Sequence, residues 1–147
     1  KITDKNIKTG LQNTIKNTGL LGRWQVLSRK PLVICDIGHN EDGIKASFNQ
    51  IRQTPYKNLH VIFGVVNDKD IDKILNLLPK DAKYYFCRPK IERALDENIL
   101  QTLANKKGIK GKAYSNIQKA LSQALRTAKM EDLIFIGGST FIVSEVV

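Results

Sequence analysis

Between positions 32 and 136 short apolar runs alternate with segments of helical periodicity, and this alternation limits the possible folds more than any other feature of the chain. Runs at 32–37, 59–65, 84–87 and 133–136, with a shorter one at 112–114, read as strands. Between them 42–53, 70–78, about 96–106 and 117–128 read as helices, the second of them stopping at Pro79. Parallel strands need crossover connections, so strands separated by helices imply a doubly wound, mostly parallel α/β sheet with helices on both faces. Just upstream, 23–29 alternates around Trp24 and Val26, and Lys30-Pro31 turns the chain back into the first apolar run. A hairpin or antiparallel edge strand is expected there.

Residues 1–17 carry Ile2, Ile7, Leu11 and Ile15 at helical spacing, with Thr3 and Asp4 as candidate caps and Gly19 just beyond the pattern. That predicts one leading amphipathic helix. The chain opens inside this pattern and closes on the apolar segment 141–147 without a stop signal, so both ends read as cuts within a larger protein. A length of 147 residues suits one compact domain, 1–147, with 1–18 as leading helix or linker.

No apolar run approaches the roughly 20 residues of a membrane span, and the first ten residues lack the apolar core of a secretory signal. The expectation is a soluble cytoplasmic protein with no membrane partner. Cys35 and Cys87 fall inside apolar runs and read as buried structural thiols, which fits a reducing compartment. The net charge of +10 admits a polyanion or nucleic-acid binding module as the alternative function. Against it, Lys5, Lys8, Lys16, Lys45, Lys73 and Lys119 spread over helix faces, and only Lys106, Lys107, Lys110 and Lys112 lie close together. A solvated basic surface is the favoured reading.

In an open parallel sheet ligands bind beyond the carboxyl ends of the strands, which directs attention to four segments. In Cys35-Asp36-Ile37-Gly38-His39-Asn40 an Asp suited to ribose hydroxyls and a His suited to a carboxylate or amine precede a helix start that favours anions. Simple capping by His39 or Asn40 explains the same residues equally well. In Ile136-Gly137-Gly138-Ser139-Thr140 the glycines allow close backbone approach and Ser139 offers a hydroxyl at a helix start, again open to a capping role. Gly22-Arg23-Trp24 places a guanidinium, whose donors match phosphate or carboxylate, beside a large ring, and a plain surface Arg next to a half-buried Trp explains it equally well. In Gly64-Val65-Val66-Asn67-Asp68-Lys69-Asp70 a structural role is favoured, with Asp68 or Asp70 capping the next helix. The chain has neither a G-x-x-x-x-G-K-S/T P-loop nor a G-x-G-x-x-G turn, which argues against an independent ATPase.

Taken in order, Gly22-Arg23-Trp24, Asp36-Ile37-Gly38-His39-Asn40, Asn67-Asp68-Lys69-Asp70 and Gly138-Ser139 resemble the carboxy-terminal domain of the folylpolyglutamate synthase and dihydrofolate synthase family, within the Mur ligase superfamily. The resemblance runs from about Gly19 to the end of the chain. It implies a Rossmann-like fold and a ligase of folate biosynthesis and one-carbon metabolism. Such a ligase uses ATP and magnesium to turn a folate or dihydropteroate carboxylate into an acyl phosphate that L-glutamate attacks. It also implies that a missing amino-terminal domain carries the P-loop and holds most of the magnesium, so that this chain alone is inactive and supplies no metal ligand. The roles carried over are Arg23 at the ATP phosphates and in catalysis, Asp36 at the ribose, and His39 with Ser139 at the incoming glutamate. His39 is the second catalytic residue, as a positioner, and Asn40 shapes the loop. Glu41 stands where the family has Pro, which is expected to loosen the turn and add negative charge there.

Overall fold

The computed structural model describes residues 2–67 and 70–147. Six strands, β1 (Gln25–Arg29), β2 (Leu32–Cys35), β3 (Leu59–Phe63), β4 (Lys83–Cys87), β5 (Gly111–Tyr114) and β6 (Leu133–Gly137), form one sheet in the order β1-β2-β6-β3-β4-β5. All neighbouring pairs are parallel except β1 with β2, which form the expected antiparallel hairpin at the edge. β6, the last strand in sequence, lies between β2 and β3. Every residue of β3 and β6 is buried, as continuous apolar runs in central strands require.

Helices α3 (Glu41–Arg52), α4 (Ile71–Asn76) and α5 (Glu97–Lys106) cover one face of the sheet, and α6 (Ile117–Thr127) and α7 (Thr140–Ser144) cover the other. The first core layer includes Ile44, Phe48 and Ile51 of α3 against Val61, Phe63 and Phe135, with the Phe48 and Phe135 rings 5.5 Å apart. In the second layer the small residues Ala120 and Ala124 of α6 let its backbone settle close to Tyr85, Ile134 and Ile136. Helix starts are set locally: Asn40, Asp70, Asp96 and Asn116 each cap the helix that follows with a side-chain oxygen. Cys35 and Cys87 are buried free thiols, and burial raises the pKa of Cys35 to about 11 and that of Cys87 further.

The amino-terminal segment differs from the single helix expected over 1–17. It forms two helices, α1 (Asp4–Gln12) and α2 (Thr14–Thr18), with Thr3 capping the first and Gly19 ending the second in the left-handed conformation. Around the break the Asn13 side chain donates to the Thr9 carbonyl, and Thr14 Oγ1 donates to the Gly10 and Leu11 carbonyls, so side chains compete with the helical ladder. Neither helix buries a residue. β1 starts two residues later than expected because Gly22 (φ 76°) and Trp24 (φ 43°) are left-handed and cannot belong to a strand. The closing apolar segment 141–147 overlaps α7, which runs from Thr140 to Ser144. Among the described residues no helix is long and apolar enough to cross a membrane.

Candidate functional site

The carboxyl ends of the parallel strands β2, β6, β3 and β4 share one edge of the sheet, and three of the four segments singled out from sequence interlock there. Asp36, immediately after β2, is the hub. Its Oδ2 accepts the Trp24 backbone N–H at 2.8 Å, and its Oδ1 accepts the Gly38 N–H at 2.8 Å. Ser47 Oγ lies 3.1 Å from Oδ1 and 2.9 Å from the Gly43 carbonyl oxygen, its single proton shared between them. A carboxylate has about four acceptor positions, so Asp36 spends most of its capacity inside the chain and keeps room for one further donor.

The turn around Arg23 is fixed on both sides. The Ile37 N–H donates to the Gly22 carbonyl at 2.8 Å, the Gly22 N–H donates to Gln25 Oε1 at 2.7 Å, and Trp24 is tied to Asp36. A Cβ on Gly22 would lie 2.7 Å from Ile37 Cγ2, so this approach of the two turns requires glycine. Arg23 is therefore an exposed guanidinium on an immobilised backbone, beside the loop that carries His39.

His39 is exposed, and its Nδ1 lies 3.0 Å from the Ile37 carbonyl oxygen. In that pairing Nδ1–H donates, which leaves Nε2 as a lone-pair acceptor facing solvent in the neutral ring. Asn40 caps α3, its Oδ1 accepting the Gly43 N–H at 2.8 Å, so the capping reading holds for Asn40 and not for His39. Glu41 occupies the first helical position, which accommodates a proline or an acidic residue equally, and its carboxylate lies 3.9 Å from Lys45. The Asn40 cap forms with Glu41 in place.

Ser139 stands at the end of the neighbouring strand, linked to this loop through the Asp36 N–H, which donates to the Ile136 carbonyl at 3.1 Å. It caps α7, its Oγ accepting the Phe141 N–H at 3.1 Å, and only 1% of it is exposed. Its hydroxyl proton remains to be donated elsewhere. Gly138 before it (φ 97°) packs so tightly that a Cβ would meet the Phe63 ring at 2.7 Å and the Gly64 carbonyl oxygen at 2.8 Å. In the fourth segment Asp70 caps α4, Asn67 N–H donates to the Arg93 carbonyl at 2.8 Å, and Asp68 and Lys69 lie outside the described residues.

The sequence alone did not single out Ser47 or Gly43, which brace Asp36 and the start of α3. The spacing of four between them on one helix face was the available signal, but it acquires meaning only once Asp36 is placed beside that face. Also unanticipated at this edge is Arg88, just after β4, whose Nε lies 3.4 Å from the largely buried Glu97 carboxylate.

Residues 22–140 match the family model described as Mur ligase, glutamate ligase domain. The chain is 30% identical over 151 residues to the dihydrofolate synthase/folylpolyglutamate synthase of Escherichia coli strain K12, an alignment covering 99% of this chain and 33% of that protein. The structure of E. coli FolC in complex with DHPP and ADP superposes with a TM-score of 0.87 at 25% identity, over 99% of this chain and 34% of that one. A bifunctional folylpolyglutamate synthase/dihydrofolate synthase with Mn, AMPPNP and L-glutamate bound superposes with a TM-score of 0.85 at 26% identity, over 99% and 34% of the two chains. The chain spans about a third or less of the length of the relatives it matches.

Proposed function

This chain belongs to the Mur ligase family, as its glutamate ligase domain, and on that premise we propose that it is the carboxy-terminal domain of an ATP-dependent folylpolyglutamate synthase/dihydrofolate synthase. The enzyme would join L-glutamate to a folate or dihydropteroate carboxylate. The observation that carries the reading is the pair of turns locked through Asp36, which puts an exposed Arg23 and an outward-facing His39 Nε2 at one strand edge. The relatives that bind ADP, AMPPNP and L-glutamate support it.

In this reaction the acceptor carboxylate takes the terminal phosphoryl group of ATP, with ADP leaving. The glutamate amine then attacks the acyl carbon, a C–N bond replaces the C–O bond to phosphate, and the nitrogen gives up a proton. Both steps gather negative charge on phosphate oxygens, which a pre-positioned Arg23 stabilises without reorganising. Asp36 holds that arginine's turn and offers its remaining lone pair to a ribose hydroxyl. His39 accepts an N–H of the glutamate amine at Nε2, aligning the nucleophile, because Nδ1 is already committed to Ile37. Asn40 keeps the start of α3 in shape. Ser139 donates its hydroxyl to the glutamate carboxylate, which has to seat against the Gly138 backbone to reach so buried a group.

Magnesium, when bound, offsets phosphate charge. Among the described residues no three His, Cys, Asp or Glu side chains converge to hold a metal ion, and Asp36 is occupied by internal donors. No step is therefore assigned to a metal ligand of this chain. The P-loop and the metal belong, in this reading, to a separate amino-terminal domain, and the 147 residues alone do not turn over.

The test is transfer of radiolabelled L-glutamate to a reduced folate and to dihydropteroate by the longer protein that carries this chain. The expected result is amide product and ADP in equal amounts with at least one acceptor, and neither from the 147-residue chain. Amide product without ATP, or no glutamate transfer to either acceptor, would overturn it.

A further inference from the structure

At the opposite, amino-terminal edge of the sheet two adjoining hollows of about 350 and 460 Å³ share Lys83, Lys110 and Thr127. Lys112 lines the first, and Lys80 and Lys129 line the second, so five lysines from three stretches of the chain line one groove. None of the five forms an ion pair with a carboxylate among the described residues. The acidic side chains on the groove are Asp81 and Asp132, which leaves an excess of three positive charges with His60 neutral.

The floor of the groove is built without any ligand. Asp132, 3% exposed, accepts the Asn58 N–H at 3.0 Å, Asn58 Nδ2–H at 2.8 Å, the Lys129 N–H at 2.8 Å and His60 Nε2–H at 3.3 Å. His60 Nδ1 in turn accepts the Tyr85 hydroxyl at 2.9 Å, and the Tyr85 and Tyr114 rings stand 5.9 Å apart beside it. The one buried carboxylate is thus matched by fixed donors rather than by a lysine. The five lysines are then left with Asp81 as the remaining acidic side chain on the groove, and the surplus of like charge favours an anion there.

We propose that this groove is a second ligand site, for an extended oxyanion whose charges run along Lys80, Lys83, Lys110, Lys112 and Lys129. Lysines on flexible stems act as separate point charges, which suits a chain of oxyanions better than one planar group. Two sources share that chemistry: a phosphate chain, and a chain of γ-linked glutamates, the second resting on the function proposed above. The groove is separate from the candidate ligase crevice, since β4 runs from Lys83 at one edge to Cys87 at the other, about 13 Å at the usual rise per residue.

The experiment is titration of the isotopically labelled 147-residue chain with sodium tripolyphosphate and, separately, with tetra-γ-glutamate, followed by amide NMR. The expected result is perturbation centred on Lys83, Lys110, Gly111 and Lys129 that weakens about ten-fold or more as salt rises from about 0.05 to 0.2 M. Binding should fall at least about ten-fold in Lys110→Glu/Lys112→Glu and be unchanged in Arg23→Ala. Lys110→Ala/Lys112→Ala serves as the milder pair if the charge reversal disturbs the spectrum of the folded chain. Response to the phosphate chain alone, the glutamate chain alone or both names the source and supports the site. No response to either probe, perturbation confined to Arg23 and Gly38–Gly43, or equal binding by the lysine variants would overturn it. The readout needs no turnover, so its failure and failure of the ligase reading are separate results.

Discussion

Asp36 receives Trp24 on one carboxylate oxygen and Gly38 on the other, so one side chain fixes the spacing between the turn that carries Arg23 and the turn that carries His39. Asp36→Ala leaves two backbone N–H groups without their charged acceptor. We expect a loss of about 2–3 kcal/mol in urea unfolding followed by Trp24 fluorescence, together with loss of ligase activity. Asp36 stands out in the sequence as an acid at a strand end, but its partners do not. Trp24 and Ser47 come from elements on either side of it, and they meet only when the hairpin and α3 pack. Asn40 was legible because its cap is local: its oxygen reaches an N–H three residues away in the chain.

The same distinction governs the elements. Helices α3, α4, α5 and α6 lie within two residues of their expected bounds, since periodicity and caps are local, and the hairpin was announced by Lys30-Pro31. The insertion of β6 between β2 and β3 was not legible, because strand order is a property of the whole sheet. That insertion is what brings Ser139 beside the Asp36 loop, and it relies on close backbone contact at the strand ends. Gly64 N–H donates to the Gly137 carbonyl at 3.4 Å, and Gly138 lies against Phe63 and Gly64. Gly138→Ala combines a left-handed φ of 97° with a Cβ clash against an aromatic ring and a backbone oxygen. A destabilisation of about 2–4 kcal/mol is expected from chemical denaturation. A wild-type midpoint in this variant would mean that the strand ends are looser than described.

For the whole molecule, part of the +10 net charge gathers where sequence spacing does not show it. Lys80, Lys83 and Lys129 join Lys110 and Lys112 only because β4, β5 and β6 begin at one edge. Beneath them, burial lowers the pKa of His60, partly opposed by Asp132 and reinforced by Lys83, so the folded chain holds a neutral imidazole. Asp132 also titrates below its ordinary value, because its hydrogen bonds from Lys129, Asn58 and His60 outweigh the effect of burial. For both groups the unfolded chain binds protons at a higher pH than the folded chain. The His60 contribution is therefore complete above about pH 6.5 and is lost as pH falls below it, and that of Asp132 follows in the acid range. The melting temperature should fall between about pH 7.5 and pH 5.5, and His60→Gln should flatten that dependence. An equal slope in the variant would assign the pH effect to other groups. At the other end of the chain Ile7, Leu11 and Ile15 are exposed on α1 and α2, the expected apolar stripe being present and left uncovered by the described residues.

In the proposed reaction Arg23 serves phosphate and His39 the amino acid, both from one locked pair of turns. Steady-state kinetics of glutamate transfer by the longer protein, with Arg23→Ala and His39→Ala verified as folded, tests it most directly. The expected result is a loss of turnover on the order of a hundred-fold for Arg23→Ala and, for His39→Ala, a KM that rises for L-glutamate but not for ATP. Full activity in both variants, or a His39→Ala defect confined to ATP, would contradict it.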